Sequence, residues 1–213
     1  MIYQQKLFNE EECDLIKSYV KLQPAELSKY FNTTGFFNII DGNKLVATDS
    51  KTSYRVFVIE NTSKTEWMFN KLIKWFSDVN NIGINYNNKV ESCTLHQYSV
   101  GDKFSKHIDL MKGFDTRRYN LGIQLSDSYE GGEYVCWDDN DNEVLISKQT
   151  GTALSYHGRI WHEIKEITNG ERLSIVMPIY KHHIIEKTNK NVSTGVSILV
   201  IFCFFCVIQY FFS

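Results

Sequence analysis

The feature that most constrains the fold is a series of short β-type segments in the second half of the chain. Glycine-rich and Asn/Asp-rich turn signals separate eight segments, at residues 94–99, 103–107, 119–125, 133–137, 143–147, 152–156, 161–167 and 172–180. Eight short strands in so short a stretch are typical of a β-sandwich or jelly roll. We therefore predict an α+β, mainly β protein whose core is an eight-stranded jelly roll, or double-stranded β-helix, with an open mouth.

The residues before this core predict a supporting layer with helices. Asn9 is placed to cap a helix, and Glu12, three positions later, completes a capping box. Residues 53–59 have the composition of a strand. Residues 65–80 carry their apolar side chains at helical spacing, so we expect a second helix that packs one face on the core.

The last twenty residues predict a membrane anchor. Residues 194–213 contain no charged side chain and are almost wholly apolar. Twenty helical residues rise about 30 Å, the thickness of a bilayer's apolar core, and lysines precede the stretch as on a cytosolic flank. A buried C-terminal helix is the alternative. The expected organisation is a support layer at 1–90, the jelly-roll core at 91–181, a linker at 182–193 and a transmembrane tail at 194–213.

Charge and cysteine usage narrow the function classes. The formal net charge is −2 and the pI is about 6.3, whereas a nucleic-acid surface needs a concentrated basic face. We therefore expect no nucleic-acid partner. The first residues lack the apolar segment of a signal peptide, and the cysteines lack metal-ligand spacing. The sequence thus favours a membrane-anchored protein whose folded domain faces the cytosol.

A His-x-Asp pair in the β-rich region predicts a metal site. His107 and Asp109 are two residues apart, and on an extended segment such residues point the same way. His162, on a later strand, would complete a set of two histidines and one carboxylate. This triad holds iron(II) on one face and leaves three positions open. A His-x-Asp pair by itself is common by chance, so its context matters.

That context resembles the prolyl 4-hydroxylase-like Fe(II)/2-oxoglutarate-dependent dioxygenases. Residues 95–109 resemble the approach to the family's iron site, with a Tyr, a Gly, an aromatic residue and then His-x-Asp. Residues 121–126 and the later Gly131-Gly132 pair look like its central strand and Gly-Gly turn. Residues 161–172 are similar to its distal His and the basic residue ten positions later. The four motifs occur in the family's order.

The resemblance implies a role for each site residue. The three metal ligands would bind iron(II), and Arg172 would pair with the far carboxylate of the cosubstrate 2-oxoglutarate. Tyr98 matches the family's Tyr that hydrogen-bonds this cosubstrate. Gln124 stands where relatives often have an aromatic residue, and we expect its amide to donate to the same carboxylate. The resemblance also implies L-ascorbate as a further cofactor and dioxygen as a reactant.

The implied reaction is hydroxylation of a prolyl or other side chain in a protein or peptide, with decarboxylation of 2-oxoglutarate to succinate. One alternative is a nucleic-acid demethylating oxygenase on the same barrel, although Pro178 stands where that family carries a second Arg. Another alternative is a membrane-tethered binding module without catalysis. The sequence does not identify the substrate.

Strand parity adds one structural expectation. His162 and Arg172 must both face inward if they serve one site, and a regular two-residue hairpin at Asn169-Gly170 would place them on opposite faces. We therefore predict a three-residue loop or a bulge between them; the three-residue loop would place Arg172 opposite Glu166.

Overall fold

A computed structural model describes residues 1–21, 29–41, 44–85, 87–109 and 117–185, with the backbone alone described for residues 21, 29–41 and 44–52. The predicted tail anchor at 194–213, and the linker from residue 186 onward, lie outside these ranges. Among the described residues, no helix combines the length and the apolar character needed to cross a membrane.

The described residues form two α-helices and a larger set of strands. The helices are α1 (Glu10–Lys21) and α2 (Glu66–Asn80). The strands are β1 (Ile2–Lys6), β2 (Lys29–Asp41), β3 (Lys44–Glu60), β4 (Gly83–Ile84), β5 (Ser92–Tyr98), β6 (Lys103–His107), β7 (Arg117–Gln124), β8 (Tyr129–Gly131), β9 (Tyr134–Trp137), β10 (Glu143–Leu145), β11 (Thr152–His157), β12 (His162–Ile164), β13 (Ile167–Gly170), β14 (Arg172–Tyr180) and β15 (Ile184–Ile185). A short 3-10 helix, Lys181–His183, precedes β15.

Both predicted helices are confirmed. At the start of α1, the Asn9 backbone N–H donates to Glu12 Oε2 at 2.9 Å, and the Glu12 N–H donates to Asn9 Oδ1 at 2.8 Å. This is the expected capping box. In α2 the apolar face is buried, with Met68, Leu72 and Phe76 among its members. The helices pack on one face of the sheet and build the larger core there.

Eleven of the described strands form one antiparallel sheet. Its order is β1-β11-β7-β14-β5-β3-β6-β12-β9-β10, with β2 paired to β3. The sheet curls into two facing halves. Strands β6, β12 and β9 belong to the smaller half and face the larger half, which contains β5, β7 and β14. The mainly β prediction is confirmed, and the curled antiparallel arrangement is consistent with a jelly roll. Strand β3, expected at 53–59, is longer than predicted and joins the two halves of the sheet.

The stretch between His162 and Arg172 differs in its strand pairing from the expected three-residue loop. Strand β13 pairs with β8 in a separate two-stranded sheet, and β14 pairs with β5 and β7. Arg172 consequently lies opposite Tyr98, so the predicted pairing with Glu166 is wrong. The predicted irregularity is present, because the β13–β8 register shifts between Ile167 and Asn169.

Tight packing at Gly170 explains why β13 pairs with β8 and does not form a hairpin with β14. Gly170 has a positive φ of 73°, and a Cβ there would lie 2.6 Å from the Ser128 carbonyl oxygen. Only glycine accommodates both the left-handed conformation and this close approach. The Asn-Gly pair therefore serves to pack β13 on β8 and is not a two-residue turn into β14.

Strands β5, β7 and β14 present different chemistry on their two faces. Their odd-numbered side chains pack with the helices in the larger core: Cys93, Leu95, Leu121, Ile123, Ile175, Met177 and Ile179. Even-numbered side chains line a cavity inside the curled sheet: Thr94, His96, Tyr98, Asn120, Gln124, Arg172 and Ser174. This alternation places polar groups from three strands inside one cavity.

Candidate metal and cosubstrate site

The structure brings the three predicted metal ligands together. His107 ends β6 and pairs directly with His162, which begins β12. Asp109 follows two residues later, where its backbone N–H donates to the Gly158 carbonyl at 3.2 Å. Asp109 Oδ1 lies 3.8 Å from His107 Nε2, and Asp109 Oδ2 lies 3.5 Å from His162 Nε2. One ligand atom from each residue lies within 4.8 Å of the others.

Backbone carbonyls fix the orientation of both imidazoles. His107 Nδ1 lies 2.8 Å from the Ser105 carbonyl oxygen, and His162 Nδ1 lies 2.9 Å from the Ile160 carbonyl oxygen. A carbonyl only accepts, so each Nδ1 carries the proton and donates. Each Nε2 then has its lone pair available, and both Nε2 atoms face the Asp109 carboxylate. This arrangement is the one expected of metal-ligating histidines.

The protonation states also suit a divalent cation. Burial, aided by His162, lowers the pKa of His107 to about 3, and burial likewise lowers the pKa of His162. Burial opposes ionisation of Asp109, but His162, Arg117 and His107 outweigh it and lower the pKa of this carboxyl. Two neutral imidazoles and one carboxylate are thus present at neutral pH. This donor set fits iron(II).

Two residues that the sequence analysis missed contact the carboxylate. The Asn120 side-chain amide donates to Asp109 Oδ2, and Arg117 Nη2 lies 3.4 Å from the same oxygen. Both residues come from β7, on the opposite half of the curled sheet from His107 and His162. No sequence motif marked them, because their link to Asp109 depends on how the sheet curls.

Arg172 lies in the same cavity and is 1% exposed. Its Nη1 donates to Ser174 Oγ at 2.8 Å and its Nη2 donates to Gln124 Oε1 at 2.7 Å. The guanidinium carbon lies 5.4 and 5.5 Å from the ring centroids of Tyr98 and Tyr134. Its Nε is buried without a hydrogen-bond partner in the described part of the chain.

Among the described residues, the charge of Arg172 is not matched by an acidic side chain. Within the described ranges, no Asp or Glu forms an ion pair with it. A buried cation is costly unless an anion pairs with it, and a guanidinium suits a carboxylate through two parallel hydrogen bonds. The cavity therefore has the electrostatics of a carboxylate-binding site.

Gln124 is oriented differently from the expectation. Its Oε1 accepts from Arg172, and its Nε2 donates to the Tyr129 hydroxyl at 2.8 Å. The side chain thus holds the guanidinium in place and directs its amide nitrogen to another residue. Tyr98 is buried and faces the cavity beside Arg172, as the resemblance implied.

Aromatic side chains form much of the remaining wall of this cavity of about 490 Å³. Tyr54, from β3, stacks on Tyr98 and Phe104 with ring centroids 5.1 and 5.5 Å apart. Phe104 stacks on His107 at 3.7 Å. Burial raises the pKa of Tyr54 to about 12, so its phenol is neutral. Tyr54 is 53 positions before His107 in the chain. No sequence signal indicated that Tyr54 stacks on Phe104 in the cavity wall.

Comparison with known families agrees with the geometry. Residues 93–180 match the 2OG-Fe(II) oxygenase superfamily. The match covers less than half of the chain. The matched residues include all three candidate metal ligands and all three candidate cosubstrate contacts. A PKHD-type hydroxylase of Maricaulis maris is 37% identical over 88 residues, which cover 38% of this chain and 38% of that relative.

Solved structures share the fold over most of the chain. A prolyl-4-hydroxylase of Pseudomonas putida aligns with a TM-score of 0.64 at 14% identity, covering 84% of this chain and 92% of that one. A prolyl hydroxylase of Trichoplax adhaerens, in complex with a hypoxia inducible factor peptide fragment, aligns with a TM-score of 0.61 at 15% identity, covering 84% and 83%. The predicted resemblance to prolyl hydroxylase-like oxygenases is confirmed.

Proposed function

We propose that the chain is an Fe(II)- and 2-oxoglutarate-dependent dioxygenase that hydroxylates a prolyl or other side chain of a protein or peptide. The observation that carries the proposal is the pairing of two features in one cavity. A triad of two neutral imidazoles and a carboxylate faces the same space as a buried arginine that has no anionic partner among the residues the structure describes. One feature suits the metal-chelating end of 2-oxoglutarate, and the other suits its far carboxylate.

His107, Asp109 and His162 would hold the iron. The bound iron supplies activation of dioxygen coupled to decarboxylation of 2-oxoglutarate to succinate. The protein contributes charge and orientation. Asp109 offsets part of the metal's charge, and the two Nδ1–H groups hold the imidazole planes through backbone carbonyls.

Arg172 would orient the cosubstrate. Ser174 and Gln124 hold its guanidinium, and the rings of Tyr98 and Tyr134 limit its movement from two sides. A preorganised cation loses little side-chain entropy when a carboxylate binds. More of the interaction free energy therefore contributes to binding affinity. The aromatic wall also excludes water from the pair, which strengthens the attraction.

A peptide substrate is supported by the complex of the Trichoplax adhaerens prolyl hydroxylase with a peptide fragment. The proposed reaction consumes dioxygen, and L-ascorbate would keep the iron in its reduced state. The mild negative charge of the chain favours a protein substrate over a nucleic acid. The demethylating oxygenase and the non-catalytic binding module are the competing functions.

We also propose that residues 194–213 anchor the protein in a membrane, with the catalytic domain facing the cytosol. The support is the uncharged, apolar composition and the preceding lysines. Deleting residues 194–213 should move the protein from the membrane fraction to the supernatant after centrifugation. Succinate formation per molecule should not change. Continued sedimentation with membranes would contradict the proposal.

The enzymatic proposal is tested by succinate release from the full chain in mild detergent. We expect succinate only when Fe(II), 2-oxoglutarate and dioxygen are all present, with a rate that rises when a peptide substrate is added. Candidate prolyl peptides, methylated oligonucleotides and buffer alone form the three arms. Stimulation by the oligonucleotide would favour the demethylase. No release in any arm, from a protein that folds and binds the metal, would favour the binding module.

A further inference from the structure

A second cavity opens where the chain leaves β14, and it shares no lining residue with the cavity of the metal site. Its volume is about 360 Å³. Basic side chains and apolar side chains both line it, and they include Arg118, His157, Lys181, Tyr119, Ile82 and Ile184. Among the residues that the structure describes, no Asp or Glu lines this cavity. We call it the basic pocket.

The basic groups of this pocket are hydrogen-bond donors. Arg118 contributes a guanidinium and Lys181 an ammonium, neither of which can accept. The Arg159 backbone N–H donates to His157 Nδ1 at 3.2 Å. Burial, aided by Arg159 and Arg118, lowers the pKa of His157, so its ring is neutral at pH 7. A neutral imidazole that accepts at Nδ1 carries its proton on Nε2, which makes His157 a third donor.

The charge in the basic pocket is not offset by an acidic side chain. Within the described ranges, no Asp or Glu forms an ion pair with Arg118. Asp139, the carboxylate that affects the pKa of His157, is paired with the N-terminal ammonium at 3.5 Å. A phosphate group offers several acceptor oxygens and suits a guanidinium through two parallel hydrogen bonds. The donor set of the pocket therefore fits a phosphate.

Apolar surface beside the donors favours a lipid phosphate over a free ion. Ile185, which also lines the pocket, is 56% exposed. Basic groups next to exposed apolar side chains are typical of surfaces that lie on anionic membranes. Eight residues separate Ile185 from the proposed anchor at 194–213, and eight extended residues span at most about 30 Å. The pocket is thus within reach of the membrane that the anchor would enter.

We propose that the basic pocket binds the phosphate headgroup of an anionic phospholipid in the membrane that holds the tail. This inference rests on the proposed anchor and goes beyond the proposed reaction. Arg118 and Lys181 provide the charge, His157 provides a directed donor, and Ile185 contacts the apolar boundary of the lipid. Binding here determines which face of the catalytic domain lies on the membrane.

The test is thermal unfolding of the full chain in neutral detergent micelles, titrated with dihexanoyl phosphatidylserine. A ligand that binds only the folded state raises the unfolding midpoint as its concentration increases, and the rise gives an apparent affinity. Dihexanoyl phosphatidylcholine, whose headgroup has no net charge, and inorganic phosphate form the other two arms. We expect the serine lipid to raise the midpoint at concentrations at which the other two compounds leave it unchanged.

A pair of double variants assigns the binding to the pocket. Each Lys or Arg near an anionic lipid surface contributes about fivefold in affinity, so Arg118→Gln with Lys181→Gln should bind the serine lipid about 25-fold more weakly. Lys64→Gln with Lys165→Gln, at exposed lysines outside the pocket, makes the same change in net charge and should leave the affinity unchanged. If the first double variant does not fold, Lys181→Gln alone should weaken binding about fivefold.

Three outcomes would overturn the proposal. Equal midpoints with the serine and choline lipids would show that the pocket does not recognise headgroup charge. A midpoint raised as much by inorganic phosphate would identify a free anion as the ligand. Equal losses of affinity in the two double variants would indicate long-range charge and no specific site. Sedimentation with membranes tests the anchor separately. A chain that sediments but does not bind the serine lipid rejects the basic pocket alone, and a chain that does not sediment rejects the anchor.

Discussion

The two faces of strands β5, β7 and β14 bury side chains of opposite chemistry. On the face toward the helices, Leu121, Ile123 and Ile175 are each 1% exposed. On the cavity face, Asn120 and Arg172 are also each 1% exposed. Burying apolar groups stabilises a fold, whereas burying amides and a guanidinium costs free energy unless each is paired. The comparison indicates that one face maintains the fold and that the other face serves the chemistry.

The largest effect should come from Asp109→Ala. Removing the only charged metal ligand of the triad should lower iron-dependent succinate release by more than the roughly 100-fold that loss of an outer-shell partner costs. The metal-free variant should still fold, because Asp109 contributes to the cavity and not to the apolar core. Succinate assays and urea denaturation measure activity and folding. Substantial remaining activity would show that another group binds the metal.

The opposite pattern is expected for Leu121→Ala, one residue from Asn120. Truncation of this fully buried leucine should lower the unfolding free energy by about 2 to 5 kcal/mol. The 2-oxoglutarate requirement of the remaining folded protein should not change, since the side chain packs toward the helices. Urea denaturation and the cosubstrate KM are the measurements. A raised KM with unchanged stability would mean that the two faces are not separate.

A smaller effect is expected for Arg172→Leu. The variant loses a charge-assisted pair with a carboxylate, so the KM for 2-oxoglutarate should rise by about tenfold or more. Arg159→Leu, a change at an exposed arginine, is the control and should leave this KM unchanged. The decisive comparison is between the two KM values in the succinate assay. Equal values would show that another cation binds the cosubstrate.

The smallest effect concerns His96 on the cavity face. Burial, aided by the charges of Arg172 and Arg117, lowers its pKa to about 3, whereas an unfolded histidine titrates near 6.5. The unfolded state therefore binds more protons between these values, and stability is lost as the pH falls below about 6.5. Between pH 7 and pH 5.5, His96→Gln should reduce this loss by at most about 1 kcal/mol.

Urea denaturation at both pH values measures this loss of stability, and a chelator in the buffer prevents metal binding from contributing to it. His182→Gln, at an exposed histidine, is the control and should show the same pH dependence as the wild type. An identical pH dependence for wild type and His96→Gln would mean that His96 is protonated in the folded protein.

The motif-bearing residues were the part of the site that the sequence predicted. His107 and Asp109 are close in sequence, and strand periodicity alone places them on one side. The ordered motifs then added His162 and Arg172, and the structure brings all four into one cavity. The strand segments were also predictable, because turn residues separate them.

What the sequence did not predict depends on contacts between distant segments. Asn120 meets Asp109 only because the sheet curls, and Tyr54 comes from a strand far earlier in the chain. Gln124 was expected to face the cosubstrate, but the Tyr129 hydroxyl accepts its N–H. The expected pairing of Arg172 with Glu166 was wrong because β13 had an alternative partner in β8, a strand too short to recognise from its composition.

The most direct test of the central claim is an anaerobic titration of the full chain with Fe(II) and 2-oxoglutarate, followed by visible absorption. Chelation of iron(II) by this cosubstrate produces a visible charge-transfer band, and anaerobic conditions prevent turnover. We predict a saturable band with a stoichiometry of about one iron per chain, as a single triad requires. The band should be absent in Asp109→Ala and should need more 2-oxoglutarate in Arg172→Leu. A folded wild-type protein that gives no band would contradict the claim that His107, Asp109, His162 and Arg172 form an iron and 2-oxoglutarate site.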